Sequence, residues 1–275
     1  MEKSECCHLY LVIPLFLVLL IFLIIPLFYT LKESFITGDG VLTFQYYKNI
    51  FIKPLYKKAI FNSLKLAVLT TLFGSIIGGI LSYIIFKMKS PIKELLLNLN
   101  NIPLTFSGLV IAFSFIITYG TSGFITTIIS KITGLSPLYI SDFLISWKGL
   151  LFAYLFFLIP RMILIMMVSW SNFDWNLIEA AENLGASRWI ILKKVLLPGI
   201  APTVLAGTSV LFAVSMGAFG TAFALTGTGV NILPLLIYTN ISEVNVDIGQ
   251  ASTLAIGLVI ITSLVIYIYQ KSLFK

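Results

Sequence analysis

Charge is what this sequence most lacks. Asp, Glu, Lys and Arg make up 11% of its 275 residues, against about 25% in soluble domains. Hydrophobic residues make up 59%, and the mean hydropathy is +1.03. Such a chain is excluded from the water-dissolved globules and belongs in a bilayer. The formal charge of +7 does not point to nucleic acid, because the Lys and Arg residues are scattered between apolar blocks and build no basic face. They read as loop charges and interfacial anchors. Histidine is nearly missing, with His8 the only one, and the two cysteines, Cys6 and Cys7, are adjacent. That pair offers neither a spaced disulfide framework nor a metal-ligand pattern. No Gly-x-x-x-x-Gly-Lys-Ser/Thr is present, so nothing here cradles nucleotide phosphates. "GSIIGGI" has glycines without the lysine, and Gly74 and Gly78 read there as a small-residue pair for close helix packing.

What is present is a series of long apolar runs, free of charge except for Arg161 in the fourth. They lie at about 9–29, 66–86, 102–119, 149–170, 201–225 and 248–269. The first is about 21 residues, or roughly 31 Å as a helix, against a hydrocarbon core of about 30 Å. It exceeds the about 7–15 apolar residues of a signal peptide and has no small-residue cleavage site, so it is expected to stay as an anchor. Runs this uniform exclude a barrel's alternation, leaving helices as the way to satisfy the backbone in lipid. The expected fold is therefore an all-α integral membrane domain over 1–275, with six spans and both termini on one side. The lysine distribution favours cytoplasmic termini only weakly, because the segment between the first two spans is also basic. No Asp or Glu lies within these runs. A carboxylate pair, a His base and a metal site are all missing at membrane depth, so no catalytic residues and no metal site are expected. The same lack counts against proton coupling but leaves an ion-coupled secondary transporter, using backbone carbonyls, as the alternative class.

Between the fourth and fifth runs stands "EAAENLGASRWIILKKVLLP", Glu179 to Pro198, within a loop of about 174–198. It reads as two short helices. Asn176 and Glu179 have capping-box spacing. Leu177, Ala181 and Leu184 share one face. Gly185 sits where a left-handed cap ends a helix, and Ser187 is placed to cap the next, on which Ile191, Val195 and Leu196 repeat. The pattern alone fits a hairpin lying on the lipid surface and equally a knob for a partner's groove.

This segment resembles the cytoplasmic loop motif of binding-protein-dependent ABC importer permeases of the type I fold. Glu179, Ala180, Ala181, Gly185, Leu197 and Pro198 match that motif, and Val195 replaces its isoleucine. "LTFQYYKNIF" and the following "FNSLKLAVLTTLFGSIIGGILSYII" resemble the family's outer segment and second span. The resemblance implies a bacterial cytoplasmic-membrane subunit with cytoplasmic termini, whose coupling loop docks on a cytoplasmic ABC ATPase dimer. It implies ATP and Mg bound by that partner and none by this chain. A second permease subunit, identical or different, and an extracytoplasmic solute-binding protein would complete the assembly.

Two polar features stand out within the spans. "FLIPRMIL" puts Pro160 and Arg161 near the middle of the fourth. Proline frees the carbonyl of Phe156 and predicts a kink. An arginine at that depth costs at least about 2.5 kcal/mol. It therefore either lines a protein-walled path, or snorkels or pairs with freed carbonyls. The fifth run is rich in small and hydroxylated residues. Ser215, Gly217, Phe219 and Thr221 are candidates for the path wall with Arg161, and tight helix packing is the competing reading. "TGTGVNILPLLIY" resembles polyamine permeases most, with iron and phosphonate permeases near. The expected cargo is a small polar solute, a polyamine or an anion such as a phosphonate; a buried cation suits the anion better.

Overall fold

A computed structural model describes residues 13, 14, 16–242 and 246–273, with side chains as far as Lys271. Cys6, Cys7, His8 and the start of the first run, residues 9–12, lie outside the described residues. Among those described, the regular structure is helical apart from one isolated bridge between Ile36 and Leu42. Six helical runs are long and apolar enough to cross a membrane: Phe16–Glu33, Pro54–Lys87, Gly108–Thr133, Trp147–Asn172, Arg188–Gly217 and Ile248–Lys271.

The first run ends in α1 (Ile25–Glu33), entered through a π-helical turn at Leu20–Ile24. The same device recurs at Leu192–Leu196. In both places the next residue but one is a proline, Pro26 or Pro198. Proline has no N–H for the carbonyl four residues back, and its ring crowds that carbonyl. The wider turn, with Leu197 N–H reaching the carbonyl of Leu192 five residues back, carries the helix up to it.

A short α2 (Gln45–Ile52) lies over the last span, α14 (Ile248–Leu273). Asn49 Nδ2 donates to Gln250 Oε1 at 3.0 Å, and Gln250 Nε2 donates back to the carbonyl of Tyr46. The main seam of the bundle joins α3 (Pro54–Lys87) and α8 (Trp147–Asn172), which run parallel. The small-residue pair expected at Gly74 and Gly78 is buried in this seam. A Cβ at Gly78 would stand 2.7 Å from Met162 Cβ and 3.0 Å from the Ile159 carbonyl oxygen. Across the same methionine, a Cβ at Gly207 of α11 (Leu197–Gly217) would be 2.7 Å from Met162 Sδ. Met162, fully buried, thus fills a slot between glycines of two helices, an arrangement that van der Waals packing in lipid favours.

Two expectations about the spans need correction. The third run was expected as one helix over 102–119. It divides into α4 (Ile92–Thr105) and α5 (Gly108–Tyr119), and the crossing continues into α6 (Phe124–Thr133). Ser107 ends the first piece because it is extended and its Oγ accepts from Val110 N–H, capping α5. The fifth run was expected over 201–225. It begins at Arg188 and breaks at Ala218, after which α12 (Phe219–Thr226) starts on its own. Beyond α12, Asn231 and Leu233 tie the chain back to α3. Asn62 Nδ2 donates to the Asn231 carbonyl at 2.9 Å, and Leu233 N–H donates to Ser63 Oγ at 2.7 Å. The buried start of α13 (Leu233–Ser242) follows, and α7 (Pro137–Ile145) closes the surface near the start of α8.

Candidate functional site: a hairpin at one end and a cavity at the centre

The loop between α8 and α11 stands at the Asn172 end of α8. Its first arm is α9 (Asn176–Asn183). The capping group is Asp174 rather than the Asn176–Glu179 pair: Asn176 N–H donates to Asp174 Oδ1 at 3.1 Å, and the first helical residue is Asn176 itself. Asp174 lies outside the helix, and its carboxylate reaches the amide two residues on, as in an Asx turn. Glu179 remains in the first turn, where the positive end of the helix favours a carboxylate.

Gly185 ends α9 as expected, with φ +76°. Gly185 N–H donates to the Glu182 carbonyl at 2.9 Å and Ala186 N–H to the Ala181 carbonyl at 3.0 Å. These two bonds are a Schellman turn, which satisfies two of the carbonyls that a helix end leaves free. The second arm differs from expectation. Ser187 is extended and precedes a helix, but its side chain makes no capping bond, and α10 (Arg188–Ile191) runs through the π turn into α11 without a stop. The return arm is thus the first part of the fifth span. Leu197 and Pro198 are its exposed continuation, and a Cβ on Gly199 would strike the ring of Phe173.

An aromatic cluster holds the hairpin to α3. Trp175 stacks on Phe86 at 5.5 Å between centroids, and Lys87 Nζ sits 4.2 Å above the Trp175 ring. Trp175 Nε1 donates to the Trp170 carbonyl, and Trp170 Nε1 donates to Ser82 Oγ at 2.9 Å. The tip is the opposite. Leu184 is 87% exposed and Trp189 78% exposed, with Glu179 and Ala180 exposed and Ala181 partly so.

The cavity, about 450 Å3, lies where the two helix breaks meet α8. Pro103, Leu104, Phe106 and Gly108 come from the α4–α5 break, Gly217 to Thr221 from the α11–α12 break, and Phe157 and Arg161 from α8. Arg161, Gly217, Phe219 and Thr221 are therefore brought to one wall. Ser215 is not among the lining residues. It is buried on the α3 side, where its Oγ is 2.8 Å from Thr70 Oγ1. The helical period explains the split, since Ser215 faces almost away from Gly217 at about 100° per residue. Arg161 is partly buried and makes no ion pair or hydrogen bond among the described residues. Helix α8 continues through Pro160, whose carbonyl accepts from Asn100 Nδ2 at 3.1 Å.

Three comparisons place this architecture. Residues 70–274 match the family model described as "Binding-protein-dependent transport system inner membrane component". The chain belongs to that family. The permease is 28% identical to the spermidine/putrescine transport system permease protein PotB of Haemophilus influenzae, over 88% of this chain and 85% of that one. It is 27% identical to the molybdenum transport system permease protein ModB of Escherichia coli, over 70% and 83%. A probable ABC transporter permease protein of Sinorhizobium fredii, y4fN, is 32% identical over 74% of this chain, which spans about a third of that protein's length. Among solved structures, the permease fold matches a chain of the bacterial alginate ABC transporter with a TM-score of 0.76 at 20% identity, covering 97% of this chain and 93% of that one. A chain of the MetNI methionine ABC transporter gives 0.58 at 16% identity, covering 80% and 94%.

Tyr154 is the residue at this break that the sequence did not disclose. It is fully buried, and its hydroxyl donates to the carbonyl of Ala218. Ala218, at ψ +77°, turns that carbonyl out of the helix. Irregular backbone at membrane depth persists only where protein or water satisfies it, and Tyr154 does so here. A tyrosine in an apolar run signals a bonded hydroxyl, but its partner is 64 residues away.

Proposed function

We propose that the permease forms one wall of the solute path of an ATP-driven importer and couples it to an ATPase through the Asn176–Pro198 hairpin. The observation that carries this reading is the hairpin's construction: a Schellman-locked tip with exposed Leu184 and Trp189, on a base clamped by Trp170, Phe173 and Trp175. Large apolar side chains held out on a rigid support are the anchors of a protein interface. A clamped base also makes the hairpin a lever, because a push at the tip reaches α3 and α8 rather than being lost in a slack loop.

In this reading the tip seats in a cytoplasmic ABC ATPase dimer, which binds ATP and Mg. The Asn172 end of α8 is then cytoplasmic, and so are both termini. A second permease subunit, identical or different, faces the cavity, and an extracytoplasmic binding protein delivers a small polar solute. The permease itself makes and breaks no bonds. The test is purification from native membranes of wild type and Gly185→Val in parallel. An ATPase with a nucleotide-binding lysine loop should accompany wild type and be lost from the variant, while membrane insertion is unchanged. Equal ATPase recovery with both would remove the lever role.

A further inference from the structure

Two carbonyls beside the central cavity are already taken, while its one charged side chain is not. The carbonyl turned out at the α11–α12 break, that of Ala218, accepts from Tyr154, and the carbonyl beside Arg161, that of Pro160, accepts from Asn100. No Asp or Glu lines the cavity. On the donor side, the Arg161 guanidinium has no counter-charge among the described residues. Helix α12 starts afresh after the break, so its first-turn N–H groups, at Phe219, Gly220 and Thr221, have no preceding turn of their own helix to bond. The start of α5 packs against one side of this helix end, where a Cβ on Gly108 would strike Thr221 Oγ1 and stand 3.1 Å from the Thr221 nitrogen, and the side towards Gly217 is open. A Cβ on Gly217 would meet nothing within 4 Å, and one on Gly220 only the Leu109 nitrogen at 3.7 Å.

Thr221 is the independent witness. It is 2% exposed and lines the cavity, yet its hydroxyl has no partner among the described residues. Thr208, Thr226 and Thr262 elsewhere in the spans bond back to a carbonyl three or four residues earlier. Thr221 is the third residue of its helix, so that carbonyl is out of place.

A fork of guanidinium donors, a free hydroxyl and the positive end of a helix together form an oxyanion site. A polyamine would find no carboxylate there and two nearby carbonyls already occupied. At the Trp147 end of α8 a wider cleft, about 1040 Å3, carries Lys58, Lys65 and Lys148 against Asp142, a net positive mouth that would concentrate anions.

We propose that the cavity holds the oxyanion group of an anionic solute (phosphonate, phosphate, molybdate or carboxylate) between Arg161, Thr221 and the first turn of α12. This rests on the permease reading and names its substrate class. The test uses the whole complex, purified in mild detergent with its ATPase and second permease subunit. Thermal unfolding is titrated with methylphosphonate, molybdate, acetate and spermidine at matched ionic strength. At least one oxyanion should stabilise wild type, with binding weakened about tenfold to a hundredfold in Arg161→Gln, less in Thr221→Val, and partly recovered in Arg161→Lys. Spermidine should give no Arg161-dependent shift. A response to oxyanions that is equal in wild type and Arg161→Gln is a bulk salt effect or binding at the ATPase, and overturns the proposal. So does stabilisation by spermidine, or loss of the second permease subunit from Arg161→Gln, which would make Arg161 an interface ion. A complex that hydrolyses ATP and ignores all four probes removes this inference alone. The absence of any ATPase from the wild-type preparation removes the permease reading beneath it.

Discussion

Gly185 in the hairpin and Gly78 in the α3–α8 seam are both places where a side chain is excluded, for opposite reasons. A Cβ on Gly185 would meet nothing within 4 Å; the constraint is its own φ of +76°. At Gly78 the backbone is ordinary helix, and the constraint is Met162 and the Ile159 carbonyl on another helix. The hairpin is thus built from local rules, in which each residue's conformation follows from its immediate neighbours. The seam and the cavity beside it are built from approaches between segments tens of residues apart. A local device can be copied, exposed and presented to a partner without disturbing the bundle. A long-range one cannot be altered without moving several helices at once.

That contrast can be broken at four points. The largest effect belongs to Gly78→Val, where branching drives into backbone as well as side chain. We expect a loss at the upper end of the about 1–3 kcal/mol typical of overpacking, read as little folded protein after detergent extraction. Gly79→Ala, where a Cβ meets nothing within 4 Å, should extract normally. If the two behave alike, the seam does not depend on close approach. Next is Tyr154→Phe, which strands the Ala218 carbonyl at a cost of about 1–3 kcal/mol. Its thermal midpoint should fall and solute uptake should drop, with ATPase recovery unchanged. Loss of ATPase recovery in that variant would mean that cavity and hairpin are not separable.

Gly185→Val should cost about 1–2 kcal/mol locally, the penalty of a left-handed residue with a side chain. It should leave the thermal midpoint of the bundle close to wild type. Gly185→Asn, which tolerates that conformation, should restore ATPase recovery; failure to do so would mean that shape at the tip, not backbone angle, is what matters. The smallest effect on stability belongs to Leu184→Ser. At 87% exposure it should change stability by no more than about 0.5 kcal/mol, while weakening ATPase association in a binding assay. Unaltered association would move the contact to Trp189 or elsewhere on the hairpin.

Gly185 shows how far the sequence could be read. Its role follows from one residue type placed after a periodic run, and the structure has it at the tip of the hairpin. Asp174 shows the limit of the same reasoning at the other end of α9. Two capping patterns overlap there, and which side chain reaches the free amide depends on where the chain leaves α8. Ser215 and Thr221 make the point in the fifth run, where both are small hydroxylated residues in one apolar stretch. The helical period turns Ser215 towards Thr70, and the break at Ala218 sets Thr221 at the start of a new helix on the cavity.

The amino-acid sequence by itself determined that this chain is a six-span, all-α membrane protein with a glycine-turned hairpin between the fourth and fifth spans. Hydrophobic length, lack of charge and the left-handed freedom of one glycine act over a few residues each, so they can be seen without the fold. Tertiary structure alone decided that the third and fifth crossings are broken and that the breaks meet at Arg161. It also decided that Tyr154 and Asn100 occupy two carbonyls at the cavity, and that Arg161 and the Thr221 hydroxyl have no partner among the described residues. Those outcomes depend on the backbone finding hydrogen-bond partners on other helices, 60 and 64 residues away in the chain, a requirement that only the packed bundle can satisfy.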